Sequence, residues 1–229
     1  MRTTVVTFIA IVCSASIGAY AADREAKAID RIDAAADTVA QMMHMPDKGV
    51  PRDLLDKAKC VVVIPGMKKA GFIVGAKYGR GYAVCRRPAG GWSAPAGMIM
   101  EGGSVGFQIG GSEEDVILLI MNDGGMRHLL SDKFTLGGDA SIAAGPVGRD
   151  AQANTDAEMH AEILSYSRSR GIFAGISLQG ATLRPDHDSD RELYGHDISN
   201  HEILTGVVKA PPGAHKLDRV LNGDSPVRG

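Results

Sequence analysis

The sequence predicts an α+β fold, with a glycine-rich, mainly antiparallel β-sheet or barrel-like core and flanking helices. Three observations lead there. Short β-branched runs such as CVVVIP (60–65) and DVILLIM (115–121) have the composition of buried strands. Few long helical patterns lie between such runs, which argues against repeated βαβ units. Glycine makes up 29 of 229 residues with no G-X-Y period, so close backbone packing or tight turns must use it.

Residues 1–21 are expected to be a signal peptide. Arg2 precedes the apolar stretch VVTFIAIVCSASI, and Ala19-Tyr20-Ala21 supplies the small-x-small pattern of a cleavage site. The apolar run is shorter than the ~20 residues that span a bilayer. The expected product is an exported chain beginning near Ala22, periplasmic or extracellular and peripherally membrane-associated. Residues 22–50 follow as an N-terminal amphipathic helix, because Ile29, Ile32, Ala36, Val39 and Met43 step by three and four. Its remaining faces carry more acid than base, which anionic lipid would repel, so the helix is expected to dock on the domain core.

Residues 51–194 form the main domain. Pro51 opens a short helix running to Lys59. CVVVIP, GFIVGAKYG (71–79) and RGYAVCRR (80–87) read as separate strands with turns between them. GMRHLLSDK (125–133) reads as a short helix, and Tyr166 to Leu183 returns to strand-like alternation. Residues 195–229 read as a polar tail, extended or frayed after a short helix that starts near Ser189.

Two cysteines follow the leader, Cys60 and Cys85. They pair as a disulfide if their strands lie side by side, or remain two buried thiols; their spacing is not that of zinc ligands.

The stretch EGGSVGFQIGG (101–111) contains G-x-S-x-G around Ser104. A nucleophile elbow needs a sharp turn and then a helix, and the residues after Ser104 form no helical run. Asp139, Asp150 and His160 exist downstream, but no pattern marks them as partners. The expected reading is a strand with a bulge at Gly102-Gly103, so no catalytic residue is assigned. Neither KYGRGYAV nor GFIVGAK completes a nucleotide-binding loop, and no cofactor is expected. Asp186, Asp188 and Asp190 begin like a calcium loop, but Arg191 stands where glycine is needed, so capping by Asp188 or Ser189 is preferred. His187, His196 and His201 are expected to be solvated.

Charge is more informative than these motifs. The chain as a whole is nearly neutral, with 25 basic and 27 acidic residues. Between Arg52 and Arg87, however, Arg52, Lys57, Lys59, Lys68, Lys69, Lys77, Arg80, Arg86 and Arg87 face only Asp53 and Asp56. Such a surplus attracts an anionic surface. Nucleic acid is disfavoured by export and by an aromatic content of 5%.

Five ordered blocks carry a resemblance: VVVIPGMKKAGFIVGAKYGRGYAVCRR, GGWSAPAGMIMEGGSVGFQIGG, DVILLIMNDGGMRHLL, LGGDASIAAGPVGR and SYSRSRGIFAGISLQGATLRPD. From about Asp53 to Tyr194 the chain resembles the SYLF domain family of lipid-binding proteins, and its leader resembles the bacterial exported branch. The resemblance implies a non-enzymatic domain that binds membrane lipid, phosphatidylinositol lipids being the ligand associated with eukaryotic members. Combined with the charge pattern, it gives the expectation of an exported protein that associates with anionic phospholipid in the cell envelope. Lys68 and Lys69 are the first choices for headgroup contact, with Lys77, Arg80, Arg86 and Arg87 in support, and Met67 or Phe72 entering the interface. Two alternatives stand beside it: the same basic face binding an acidic protein or polysaccharide, and a serine hydrolase using Ser104.

Overall fold

The computed structural model describes residues 2–45, 49–147, 160–169, 172–176, 178–206 and 208–225, with side chains from residue 23 onward apart from 72–74 and 104–110. The architecture is α+β, a curled and mostly antiparallel sheet with flanking helices, as the composition indicates. In chain order it runs α1 (Arg2–Met43), α2 (Arg52–Lys57), β1 (Cys60–Cys85), β2 (Ala96–Ile120), α3 (Asp123–Leu129), β3 (Phe134–Thr135), β4 (Ile142–Ala144), β5 (Ile163–Ser169), β6 (Ile172–Gly175), β7 (Thr182–Pro185), α4 (His187–Tyr194), α5 (Asn200–Thr205) and α6 (His215–Asp224).

One two-stranded ribbon organises the molecule. β1 and β2 pair antiparallel along their length, from Cys60 opposite Ile120 to Ala83 opposite Ala96. The three strands expected between 60 and 87 are therefore one strand. Their intervening glycines do not make turns. Gly66, at φ 56, sits in a bulge between Ile64 and Met67, and a second irregularity follows Gly71. Gly102 and Gly103 pair regularly with Lys77 and Ala76, so the expected bulge at that site lies elsewhere.

The ribbon bends until the two ends of β1 meet. Arg86 N–H donates to Lys59 O at 2.8 Å, and Lys59 N–H donates to Ile120 O at 2.7 Å. A side chain at Gly81 would run into the carbonyl of Val63, so glycine is what permits this approach. Cys60 and Cys85 are bonded to each other at the same junction, with Cα atoms 3.9 Å apart. β5 and β7 extend the sheet on either half of β2, and β4, β6 and β3 complete it.

Both faces of the sheet are buried where the two ends of the ribbon lie among the helices. Val61, Val63, Tyr82, Val84, Ile117 and Leu119 face a core built with α1 and α6, while Val62, Ile64, Met98, Met100, Val116 and Leu118 face a second core closed by α3 and α5. Two buried faces explain why CVVVIP and DVILLIM are continuously apolar rather than alternating. On α1, Ile32, Ala36, Val39 and Met43 are buried, which is the docking expected from their spacing. No described helix is long and apolar enough to cross a membrane.

Much of the segment expected to be a frayed tail is helical. α5 carries a capping box, in which Ser199 Oγ accepts from Glu202 N–H while the Glu202 carboxylate accepts from Ser199 N–H. α6 buries Leu217 and Leu221, four residues apart, against α1. The cap of α4 is Asp186, whose side chain accepts from Ser189 N–H, in place of Asp188 or Ser189.

Candidate anion-binding cleft

The basic run between 52 and 87 is distributed by the bend of the ribbon into separate environments. It does not form one face. Lys68 and Lys69 lie on the ribbon opposite Glu113 and Ser112, and each has a carboxylate beside it: Glu113 at 3.9 Å from the Lys68 ammonium and Glu114 at 2.6 Å from that of Lys69. Lys77 is buried; burial first, and then the neighbouring Lys69 charge, holds its ammonium pKa below the ordinary lysine value. Met67 is fully buried, so it is core and not interface, and the Phe72 side chain lies outside the described residues.

Arg80 serves the fold. Its Nε and Nη2 donate to the two Asp186 oxygens at 2.5 and 2.7 Å, and Ser189 Oγ accepts from both Arg80 and Arg31. Burial alone would raise the Asp186 pKa, but Arg80 and Ser189 outweigh it and hold the carboxyl below its usual range. The three aspartates that resemble a calcium loop are thereby separated. Asp186 and Asp190 turn into the protein, while Asp188 pairs outside with Arg191 at 3.3 Å. No cluster of three or more potential metal ligands occurs among the described residues. His187, His196 and His201 are exposed.

Ser104 stands within β2, paired opposite Gly75, with strand continuing on both sides. The strand-to-helix turn of a nucleophile elbow is not the local backbone here. The Ser104 side chain and the whole of Asp150 lie outside the described residues.

Arg86 and Arg87 are brought together with Lys57 and Lys59, at the junction where β1 closes on itself. The turn after β1 places them: Arg87 N–H donates to Gly91 O at 3.0 Å, and Gly90 and Gly91 adopt φ of 95 and 75. The Arg86 guanidinium lies 4.3 Å from the Trp92 ring centroid and donates to Ala58 O, Leu55 O and Ser225 Oγ. Arg87 Nη2 donates to Val208 O at 3.3 Å. Lys57 ends α2, and Lys59 lies just before β1.

These four cations line a cleft of about 420 Å³ whose remaining wall is Ala58, Pro88, Met126, Leu204 and Thr205. No carboxylate lines it among the described residues. Asp123 lies 2.5 Å from Lys59 and Asp53 lies 3.8 Å from Lys57, both in exposed pairs. The lining combines four cations with mostly apolar side chains, suited to an anionic group with hydrocarbon attached. Four of the nine basic residues in the run belong to it. Met126 and Leu204 come from α3 and α5, far along the chain, and no local pattern marks them as neighbours.

A profile of the family described as "Ysc84: Las17-binding protein actin regulator" matches residues 101–223. Similar curated proteins include the SH3 domain-containing YSC84-like protein 1 of Rattus norvegicus, 37% identical over 178 residues covering 77% of this chain and 52% of that protein. An SH3 domain-containing protein of Schizosaccharomyces pombe is 39% identical over 76% of this chain and 41% of its own. The protein YSC84 of Saccharomyces cerevisiae is 34% identical over 76% of this chain and 38% of its own. The chain spans about half or less of the length of these relatives, all eukaryotic.

Proposed function

Because the chain belongs to the Ysc84 family, also known as the SYLF domain family, we propose that it is a non-enzymatic lipid-binding protein that seats an anionic phospholipid headgroup in the cleft of Lys57, Lys59, Arg86 and Arg87. The observation that carries this reading is the convergence of four cations on one partly apolar cleft with no carboxylate among its described lining residues. Each cation near an anionic membrane contributes about 1 kcal/mol, so the cluster supplies what single lysines on the ribbon cannot. The exposed pairs Lys57–Asp53 and Lys59–Asp123 exchange for phosphate contacts at small cost, since such pairs contribute little to stability.

Sedimentation with vesicles of phosphatidylglycerol against vesicles of phosphatidylcholine tests it. Binding should favour the acidic lipid and fall with salt. The double variant Lys57→Glu with Lys59→Glu should lose this preference, and Lys68→Glu with Lys69→Glu should retain it. Loss through the ribbon pair alone, or equal binding to both vesicles, refutes the placement.

The proposal extends to location. Residues 1–21 act as a signal peptide and the mature chain works in the periplasm or outside the cell, where the Cys60–Cys85 bond is stable. The intact mass of the protein recovered from its cells should lack the first 21 residues; a full-length chain rejects the export reading.

A further inference from the structure

On the other side of Arg87 lies a second cavity, of about 350 Å³, between the turn that joins β1 to β2 and the segment leading into α6. Its apolar wall is Val84, Pro95, Val208, Ala210, Ala214 and Leu217. Trp92 and Arg87 also line it, and each carries a buried N–H, Nε1 and Nε respectively, with no acceptor among the described residues. Trp92 itself is only 4% exposed. Ser93 Oγ, beside them, is already engaged, accepting from Cys85 N–H and donating to Ala94 O.

A buried donor without an acceptor is costly, and two on residues that line one cavity require an explanation. A bound acceptor supplies it. The charges say which kind: Arg87 and Lys209 stand against Asp218, with His215 alongside, so the lining favours a single negative charge. Two N–H groups on residues of one lining match in number the two oxygens of a carboxylate. The apolar wall suits a hydrocarbon, and the volume lies at the small end of ligand sites, which run from roughly 300 to 1,000 Å³.

We propose that this cavity binds a carboxylate on a short alkyl chain, its oxygens accepting from Arg87 Nε and Trp92 Nε1 and its chain lying on the wall of Val84, Val208 and Leu217. The site shares only Arg87 with the headgroup cleft and does not depend on it.

Trp92 is the only tryptophan of the chain, so its emission reports the site directly. The full mature chain is titrated with octanoate, and separately with octanol, acetate and inorganic phosphate, by fluorescence and by calorimetry. Octanoate should give a saturable change, with octanol, acetate and phosphate each weaker by about tenfold or more, the effect of one charge-assisted hydrogen bond or of the lost hydrocarbon contact. Arg87→Gln and, by calorimetry, Trp92→Phe should each weaken octanoate by about tenfold while the far-ultraviolet circular dichroism stays native. Lys57→Glu with Lys59→Glu, aimed at vesicle binding, should leave octanoate binding unchanged. That arm separates failure of the carboxylate site from failure of the headgroup cleft. Octanol binding as well as octanoate, phosphate binding as well as octanoate, or neither heat nor emission change with millimolar octanoate in wild-type protein overturns the proposal.

Discussion

Asp190 should make this protein less stable as pH rises from about 4 to about 7, and Asp190→Asn should abolish that loss. The carboxyl is completely buried. Its Oδ1 accepts from Gly97 N–H at 2.6 Å, while Oδ2 has no partner among the described residues. Burial, with a smaller contribution from nearby Asp186, pushes its pKa up to about 7, against a Gly97 bond that pulls the other way. In the unfolded chain the same group titrates near 4. Between these values the native state holds a proton that the unfolded chain has released, so stability is fully present below about pH 4 and declines as pH approaches 7. Roughly three pH units at about 1.36 kcal/mol each gives a loss on the order of 4 kcal/mol. Asparagine keeps an acceptor for Gly97 and cannot ionise. Urea unfolding of both proteins at pH 4, 5.5, 7 and 8 would measure this loss as the difference between the two curves. The difference should grow with pH in favour of the variant and level off above neutrality. Parallel curves would show that Asp190 ionises in the fold as readily as in the unfolded chain and would refute the reasoning.

Three further perturbations test the architecture and its ionic anchor. Gly81→Ala drives a methyl into the Val63 carbonyl and should cost about 3 kcal/mol or more, whereas Gly103→Ala, whose added carbon meets nothing within 4 Å, should stay within about 0.5 kcal/mol; equal midpoints in urea would deny that β1 crosses itself there. Replacing both Cys60 and Cys85 by alanine removes a link across a sequence separation of 25 and should lower unfolding free energy by about 3.5 kcal/mol, visible as a drop in denaturation midpoint; an unchanged midpoint would mean the crossing is held by hydrogen bonds alone. Asp186 opposes Asp190 in sign: its depressed pKa gives stability that is present above its unfolded value near 4 and lost as pH falls through the lower folded value, so Arg80→Gln should shift the acid-unfolding midpoint upward.

The strands and helices were legible where composition and period agreed. Val61 to Ile64 and Val116 to Ile120 announced buried strands, and Ile32, Ala36, Val39 and Met43 announced a docked helical face. The continuity of β1 was not legible, because Gly66, Gly79 and Gly81 have the composition of turns while acting as a bulge and a point of close approach. The helices after residue 195 were obscured by the proline and glycine around them, although Ser199 with Glu202, and Leu217 with Leu221, carry the relevant signals. Charge density was legible but its grouping was not. A run of nine cations on a strand that folds back is parted by the fold, so Arg86 meets Lys57 and Lys59 while Lys68 is carried out along the ribbon. Only tertiary contact could bring Met126 and Leu204 into the same cleft.

The self-crossing of β1 also limits how this chain can change in length. Pairing between 67–70 and 111–114 sets Lys69 and Ser112 on one side and Lys68 and Glu113 on the other. Losing one residue from either strand would swap the sides of everything beyond it, while the Cys60–Cys85 link keeps the two ends from sliding to compensate. Growth or shrinkage of this arm is therefore quantised: viable descendants should add or drop residues in pairs, matched on both strands, or place an odd one where a bulge already absorbs it.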